Sequence, residues 1–197
     1  MPELVRRVVQ LVVACAVLGV GVALLLDARL GSDGYSTLVN GLTLASGWDF
    51  ALVNLLIGVT FVVMAWIRGR APGLGTIVQV VEVGVVVSAV LPLLPEPDAW
   101  AGRAAELVLA FVVLCIGVAG YLAADLGAGP AEAAALAWDP PVPFRWSYTA
   151  VQGGGALVGW LAGADVGPGT LLVVLLIGPV VDRMLPFFGR LAGQRGM

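Results

Sequence analysis

In the stretch PGLGTIVQVVEVG, Pro72 to Gly84, Gln79 and Glu82 stand in an otherwise apolar run. Three residues apart, they fall on one helical face. A carboxylate near the middle of a membrane-spanning helix costs about 2.5–3.5 kcal/mol on insertion scales, so it faces a cavity or a partner and is by default a functional candidate. Glu82 is therefore read as a proton-coupling or substrate-cation group; the alternative is a buried acid that only ties helices together. A related phrase, VGPGTLLVVLLIG from Val166 to Gly178, has Val173 and Leu176 at the equivalent positions. One copy of a shared frame thus carries a carboxylate and the other none.

Four glycine-rich breaks surround this chemistry. Gly31 in LGSDG and Gly127, Gly129 and Pro130 in LGAGP form the first kind; Gly73 and Gly75 in PGLG and Gly167 and Gly169 in VGPG form the second. Each break precedes a segment able to start a helix, with Thr76 and Thr170 just after the second kind. A free helix N-terminus offers unpaired N–H groups and a partial positive charge, a seat for an anion or a substrate carboxylate. Irregular backbone at membrane depth is tolerated only against protein or a water-filled cavity. Two readings stand: the breaks line a cavity, or they are interfacial turns. Asn54 and Gln152 are further pathway candidates, equally explained by interhelical hydrogen bonds. Gly155, Gly159 and Gly163 have GxxxG spacing, which predicts close helix packing within the fold or between protomers.

The elements that must hold these residues are membrane helices. Of 197 residues 60% are hydrophobic and 12% charged, with a mean hydropathy of +1.01, against about 25% charged in ordinary soluble domains. Runs long enough to span, roughly 20 residues, lie at about 8–26, 50–67, 75–94, 104–124, 146–162 and 169–188. This predicts six helices, with four or five as alternatives because the second and fifth are short and glycine-bearing. The segments 35–46 and 131–138 are too short to cross and are read as interfacial or re-entrant half-helices. All ten positive charges are Arg. Arg6, Arg7, Arg68, Arg70, Arg145, Arg190 and Arg195 fall on one side and Arg29 and Arg103 on the other, which places both termini in the cytoplasm. Asp27, Asp33, Asp49, Glu96, Asp98 and Asp165 lie mainly opposite. The first apolar run is longer than a signal-peptide core and lacks a clear cleavage site, so it is read as a retained helix. Cys15 and Cys115, with no CxxC and no His, are read as buried apolar residues.

The chain is duplicated. Leu30-Gly31 aligns with Leu126-Gly127 and Gly21 with Gly117; after a slip of two positions Trp66 aligns with Trp160, Gly73 with Gly167, Gly75-Thr76 with Gly169-Thr170, Gly84 with Gly178 and Leu91-Pro92 with Leu185-Pro186. Three spans per copy force opposite orientations, the inverted-repeat plan recurrent in secondary transporters. The expected fold is an all-α polytopic membrane protein of two inverted three-helix repeats, 1–97 and 98–197, forming one membrane domain.

The segments LLLDARLGSDGYSTLVNGL, APGLGTIVQVVEVG, YLAADLGAGPAE and VGPGTLLVVLLIGPVV resemble the YczE-type bacterial membrane proteins of the YczE/YyaS/YitT group, from the first helix to Pro186. Gly34-Tyr35 stands where that group commonly has Pro-Trp, and Ala131 where Arg is common. The resemblance implies a polytopic protein of the bacterial inner membrane. The function expected is small-solute permeation or export, with a non-transporting accessory role as the alternative. An enzyme is not expected, since His, HExxH, CxxC and a phosphate-binding GK[ST] are absent. No cofactor, metal or nucleic-acid partner is implied; the bilayer, a small solute and a second copy of the chain are the expected partners.

Overall fold

A computed structural model describes residues 3–95 and 97–192, with backbone alone for Phe144 and Arg145. The sidedness assigned above to Glu96 and Arg195 lies outside the described residues. Eight α-helices follow in order: α1 (Glu3–Asp27), α2 (Gly34–Ser46), α3 (Phe50–Ile67), α4 (Leu74–Val90), α5 (Trp100–Ala124), α6 (Pro130–Leu136), α7 (Phe144–Leu161) and α8 (Pro168–Ala192). A 3₁₀ turn, Leu91–Leu93, finishes α4 around Pro92. No strand occurs among the described residues.

Local chemistry sets the helix ends. Asp33 caps α2 by accepting from the Ser36 N–H at 3.1 Å, and Asp49 caps α3 by accepting from the Ala51 N–H at 2.8 Å. Pro130 opens α6 at a position where a missing N–H does no harm. Gly69 and Gly163 both have positive φ and end α3 and α7. In each case the glycine N–H bonds to a tryptophan carbonyl (Trp66 or Trp160) and the next N–H reaches one residue further back, a Schellman closure. Gly163 is therefore corrected from packing residue to helix stop: it follows the last turn, and no atom lies within 4 Å of where its Cβ would stand. Gly155 and Gly159 do pack, within the chain, against the Gly34 and Thr37 carbonyls of α2.

Five helices are long and apolar enough to cross a membrane: α1, α3, α4 with its 3₁₀ turn, α5 and α8. A sixth helix, α7, lies where the sequence places a span, but Arg145, Tyr148, Thr149 and Gln152 lower its hydropathy. Those polar side chains from Tyr148 to Gln152 face the interior described below. The helices α2 and α6 are the two short segments expected between spans.

The centre is the antiparallel pair α1 and α5. Between membrane helices there is little hydrophobic drive, so close approach depends on small residues. A Cβ on Gly21 would stand 2.8 Å from the Leu114 backbone nitrogen, and one on Gly117 2.6 Å from that of Leu18. Gly21 and Gly117, like Leu18 and Leu114, are the residues that the duplicated sequence aligns. Arg7 at the start of α1 donates to the Ala124 carbonyl at the end of α5 at 2.7 Å, which fixes the antiparallel sense. Outside this pair α4 packs on α1 and α8 on α5, α3 packs on α4, α2 lies against α7, and α6 bridges α3 and α7. Cys15 and Cys115 are buried and free.

The two halves differ at one seam. Between α3 and α4 the Asn54 amide donates to the Val80 carbonyl at 2.6 Å, the Ser88 hydroxyl donates to Asp49 at 2.9 Å, and Gly84 accommodates Asn54 and Ala51. Among the described residues the counterpart helices α7 and α8 share no such packed seam, and a Cβ on Gly178, the partner of Gly84, would meet no neighbouring element within 4 Å.

Gly117→Ala forces the α1–α5 backbones apart and is expected to cost about 1–3 kcal/mol. Gly154→Ala, which meets nothing within 4 Å, removes an unfavourable helical glycine and is expected to hold or raise stability by up to about 1 kcal/mol. Thermal unfolding in detergent compares the two; equal melting temperatures would reject the close crossing.

Candidate functional site

A cavity of about 270 Å³ lies between the helices, and all eight contribute to its wall. Its apolar part is Leu18 and Val22 from α1, Leu114 and Val118 from α5, and residues of α4 and α8 facing one another. The polar part is set by the short helices. Asp33 stands at the N-cap of α2, and Glu132 in the first turn of α6. Both carboxylates reach the same space because the breaks before them lower these helix starts between the long spans.

A hydrogen-bonded path joins three elements across the cavity. The Tyr35 N–H donates to Gln152 Oε1 at 3.0 Å, Gln152 Nε2 donates to Tyr148 Oη at 2.8 Å, and the Tyr148 hydroxyl reaches Glu132 Oε1 at 3.5 Å. Tyr35 is held at its other end by an edge-on contact with Phe61, ring centres 5.7 Å apart, and by its hydroxyl on the Asn54 carbonyl at 3.4 Å. On the far side of the carboxylate, a Cβ on Gly129 would lie 2.5 Å from Glu132 Oε2 and would also meet Gln79 Oε1. Gly129 is thus the floor on which Gln79 and Glu132 converge.

Several polar atoms here are unmet. The Tyr121 side chain is 1% exposed, lines the cavity and has no hydrogen-bond partner on its hydroxyl. It stands close to Gln79 and Glu132, yet neither completes a hydrogen bond to it. Gln79 Oε1 is likewise buried without a donor. Burial pushes the Glu132 carboxyl above the ordinary glutamate value, and the charge of Asp33 adds to the effect. Burial raises Asp33 as well, against the opposing hydrogen bond from Ser36. Among the described residues no Arg lines the cavity.

The residues singled out from sequence divide cleanly. Gln79, Asn54, Gln152, Pro130 and Thr170 line the cavity. Gly31, Gly73, Gly75, Gly127, Gly167 and Gly169 do not; they pack break against break just outside it. The Gly75 N–H donates to the Leu126 carbonyl at 2.8 Å, and the Gly169 N–H to the Leu30 carbonyl at 2.7 Å. Thr76 donates to the Ala128 carbonyl at 2.6 Å, and the Gly167 N–H approaches Thr170 Oγ1 at 3.5 Å. The two threonines therefore serve separate junctions. Neither of the two readings of the breaks holds alone, since the glycines are junctions while the helix starts just beyond them line the cavity.

Glu82 is corrected. It is half-buried, lies outside the cavity wall and stands within electrostatic reach of Cys15 on α1. At about 100° per residue, three positions turn Glu82 about 60° from Gln79, on the side away from Val80 and Val83. Sharing a face with Gln79 was too coarse a criterion, because the wall of the cavity includes only one edge of that face. A second acidic pair, Asp27 and Glu106, also lies outside the cavity where α1 ends beside α5.

Asp33, Tyr35, Tyr121, Glu132 and Tyr148 were not among the sequence candidates. The signal available for the two acids was positional: each falls in the opening turn of a half-helix directly after a glycine break. Nothing in the sequence marks the tyrosines, which become a group only when α2, α5 and α7 meet.

No solved structure matches the chain. Residues 5–186 match a sequence family described as a family of unknown function, DUF6198. Similar curated proteins are an uncharacterized protein of Haemophilus influenzae, 29% identical over 92% of this chain and 84% of that protein, and the uncharacterized membrane protein YczE of Bacillus subtilis, 28% identical over 74% of this chain and 66% of that protein. With its matched length, apolar helices and glycine breaks, the chain belongs to the DUF6198 family and is a YczE-type multi-pass membrane protein.

Proposed function

We propose that this protein is a small-solute permease of the bacterial inner membrane, built as two inverted repeats with both termini cytoplasmic, and that solute passes through the central cavity by alternating access. One observation carries the reading: residues aligned between the repeats line the same cavity in pairs, while their two equivalent seams differ. Leu18 and Leu114, Val22 and Val118, Gln79 and Val173, and Val83 and Ile177 are such pairs, and all eight line the wall. A polar cavity on an approximate two-fold between repeats is where inverted-repeat transporters hold their substrates. The α3–α4 seam is packed and the α7–α8 seam is open, as expected of a molecule that exchanges which side is closed. The carboxylates on the path are Asp33 and Glu132; Glu82 is outside it. No catalytic role is assigned to them. A homodimer would use a surface other than Gly155 and Gly159, which α2 occupies.

The test is uptake of a labelled panel of small carboxylates and amines into proteoliposomes. Val174 lines the cavity mouth yet is 51% exposed, so Val174→Trp narrows the path without disturbing the core. Flux is expected to fall at least tenfold in Val174→Trp and to persist in Glu82→Gln. Loss in Glu82→Gln with retention in Val174→Trp would move the path to Glu82. Silence of the folded wild type across the panel would favour an accessory role in a larger membrane complex.

Gly129→Ala offers a finer test. The nearest atoms to its methyl are the flexible ends of Gln79 and Glu132, so the melting temperature should stay near wild type while flux falls about tenfold, a displaced site being sensitive to shifts of about 1 Å. Unchanged flux would remove Gln79 and Glu132 from the path.

A further inference from the structure

The cavity wall carries two acidic side chains and a buried amide oxygen without a donor. Glu132 and Asp33 present carboxylates, and Gln79 Oε1 and the Tyr121 hydroxyl are buried without partners. A ligand that satisfies the carboxylates and Gln79 Oε1 must bring donors, while the Tyr121 hydroxyl can donate or accept. An anion is disfavoured, because the starts of α2 and α6, which would otherwise attract one, already carry Asp33 and Glu132. A hard divalent ion takes about six oxygen ligands. Among the described residues no group of three His, Cys, Asp or Glu is placed to hold a metal ion. An ammonium group brings three N–H donors and one positive charge, and tyrosine faces add attraction for a cation that carboxylates alone would not supply.

The remainder of the wall is hydrocarbon. Leu18, Val22, Leu114, Val118, Val173 and Ile177 would be left wetted by a bare ion and would be covered by an apolar body. On α7 and α8, Leu157, Leu171 and Leu175 are exposed, side chains suited to lipid. A solute dissolved in the bilayer would meet the opening directly.

Resting on the reading of this cavity as the solute site, we propose that it binds an amphiphilic organic monocation, with Asp33 and Glu132 as counter-ions, Tyr35, Tyr121 and Tyr148 around the ammonium, and the aliphatic wall around the body. Two carboxylates hold a single positive charge, so the pair retains one negative charge or one proton when the ligand is bound.

The experiment is equilibrium binding of radiolabelled phenethylammonium to the full chain in nanodiscs, with empty nanodiscs subtracting lipid partition and with phenylacetate, phenethyl alcohol and sodium ion as competitors. Saturable binding near one per chain is expected, displaced by other monoamines and not by phenylacetate. Glu132→Gln and Asp33→Asn should each weaken it at least about tenfold, the loss typical of removing one partner of a buried charge pair. Asparagine still caps a helix, which keeps α2 in place in the second variant. Tyr121→Phe removes only the unpartnered hydroxyl and should weaken binding about threefold to tenfold. Competition by phenylacetate at equal concentration, full displacement by sodium ion, or unchanged affinity in folded Glu132→Gln and Tyr121→Phe would each overturn the assignment. Binding of the cation with no uptake in proteoliposomes would leave this assignment standing and sink the permease reading. Uptake of carboxylates through a path blocked by Val174→Trp would do the reverse.

Discussion

Hydrogen bonding of the backbone at membrane depth is the constraint on which the rest depends. A chain that interrupts its helices inside a protein surrounded by lipid must pair every freed N–H and C=O internally. Here the interruptions pair with one another. The Leu30 carbonyl takes the Gly169 N–H and the Leu126 carbonyl takes the Gly75 N–H, so a break after the first span of one half is satisfied by a break before the last span of the other. Glycine is required because backbone must touch backbone: Gly127 has φ near +139°, and a Cβ there would stand 3.0 Å from the Gly73 Cα. Each half thus closes its breaks on the other.

From this pairing follows the position of the chemistry. Once the breaks are held, α2 and α6 begin inside the molecule, and their opening turns project into the space between the long helices. A helix start favours an acid, through the cap and the partial positive charge alike. The same preference that fixes Asp33 as a cap therefore delivers a carboxylate to the cavity, and Glu132 arrives in the opening turn of α6 three positions further along than its counterpart cap. Local helix chemistry and the charge of the interior have one cause. The cost is an acidic interior, visible in carboxyls driven up by burial and in the unmet Tyr121 hydroxyl.

The sequence made the frame legible because glycine, proline and tryptophan act through the backbone and helix ends. Gly21 and Gly117 mark the central crossing, Trp66-Gly69 and Trp160-Gly163 mark helix stops, and the glycine-threonine phrases mark the junctions. The site was legible only in part. Gln79, Asn54 and Gln152 were found because a lone polar residue in an apolar helix has to be facing something. Glu82 satisfied the same rule by facing the margin of α1 and α4 instead of the cavity. Periodicity gives the angle between two residues on a helix but not which neighbour each angle meets. Tyr35, Tyr121 and Tyr148 escaped for a related reason, since a tyrosine is at home in any membrane helix and gains meaning only from the carboxylate beside it.

The departure from symmetry is as informative as the symmetry. On the α3–α4 side Asn54 ties itself to a backbone carbonyl of α4, and Gly58 and Gly84 let the helices approach. The aligned positions on α7 and α8 are Tyr148, Gln152 and Gly178. Tyr148 and Gln152 are turned toward Glu132 and the start of α2, so the groups that could close the second seam are engaged by the cavity instead. Gly178 keeps the room for closure that Gly84 uses. Under the permease reading, a solute that took over the hydrogen bonds to Glu132 would change what holds Tyr148 and Gln152 and so link occupancy of the cavity to the packing of its side. The coupling free energy of such a link is limited by the difference between the contacts made in the two states, here a short relay of three hydrogen bonds.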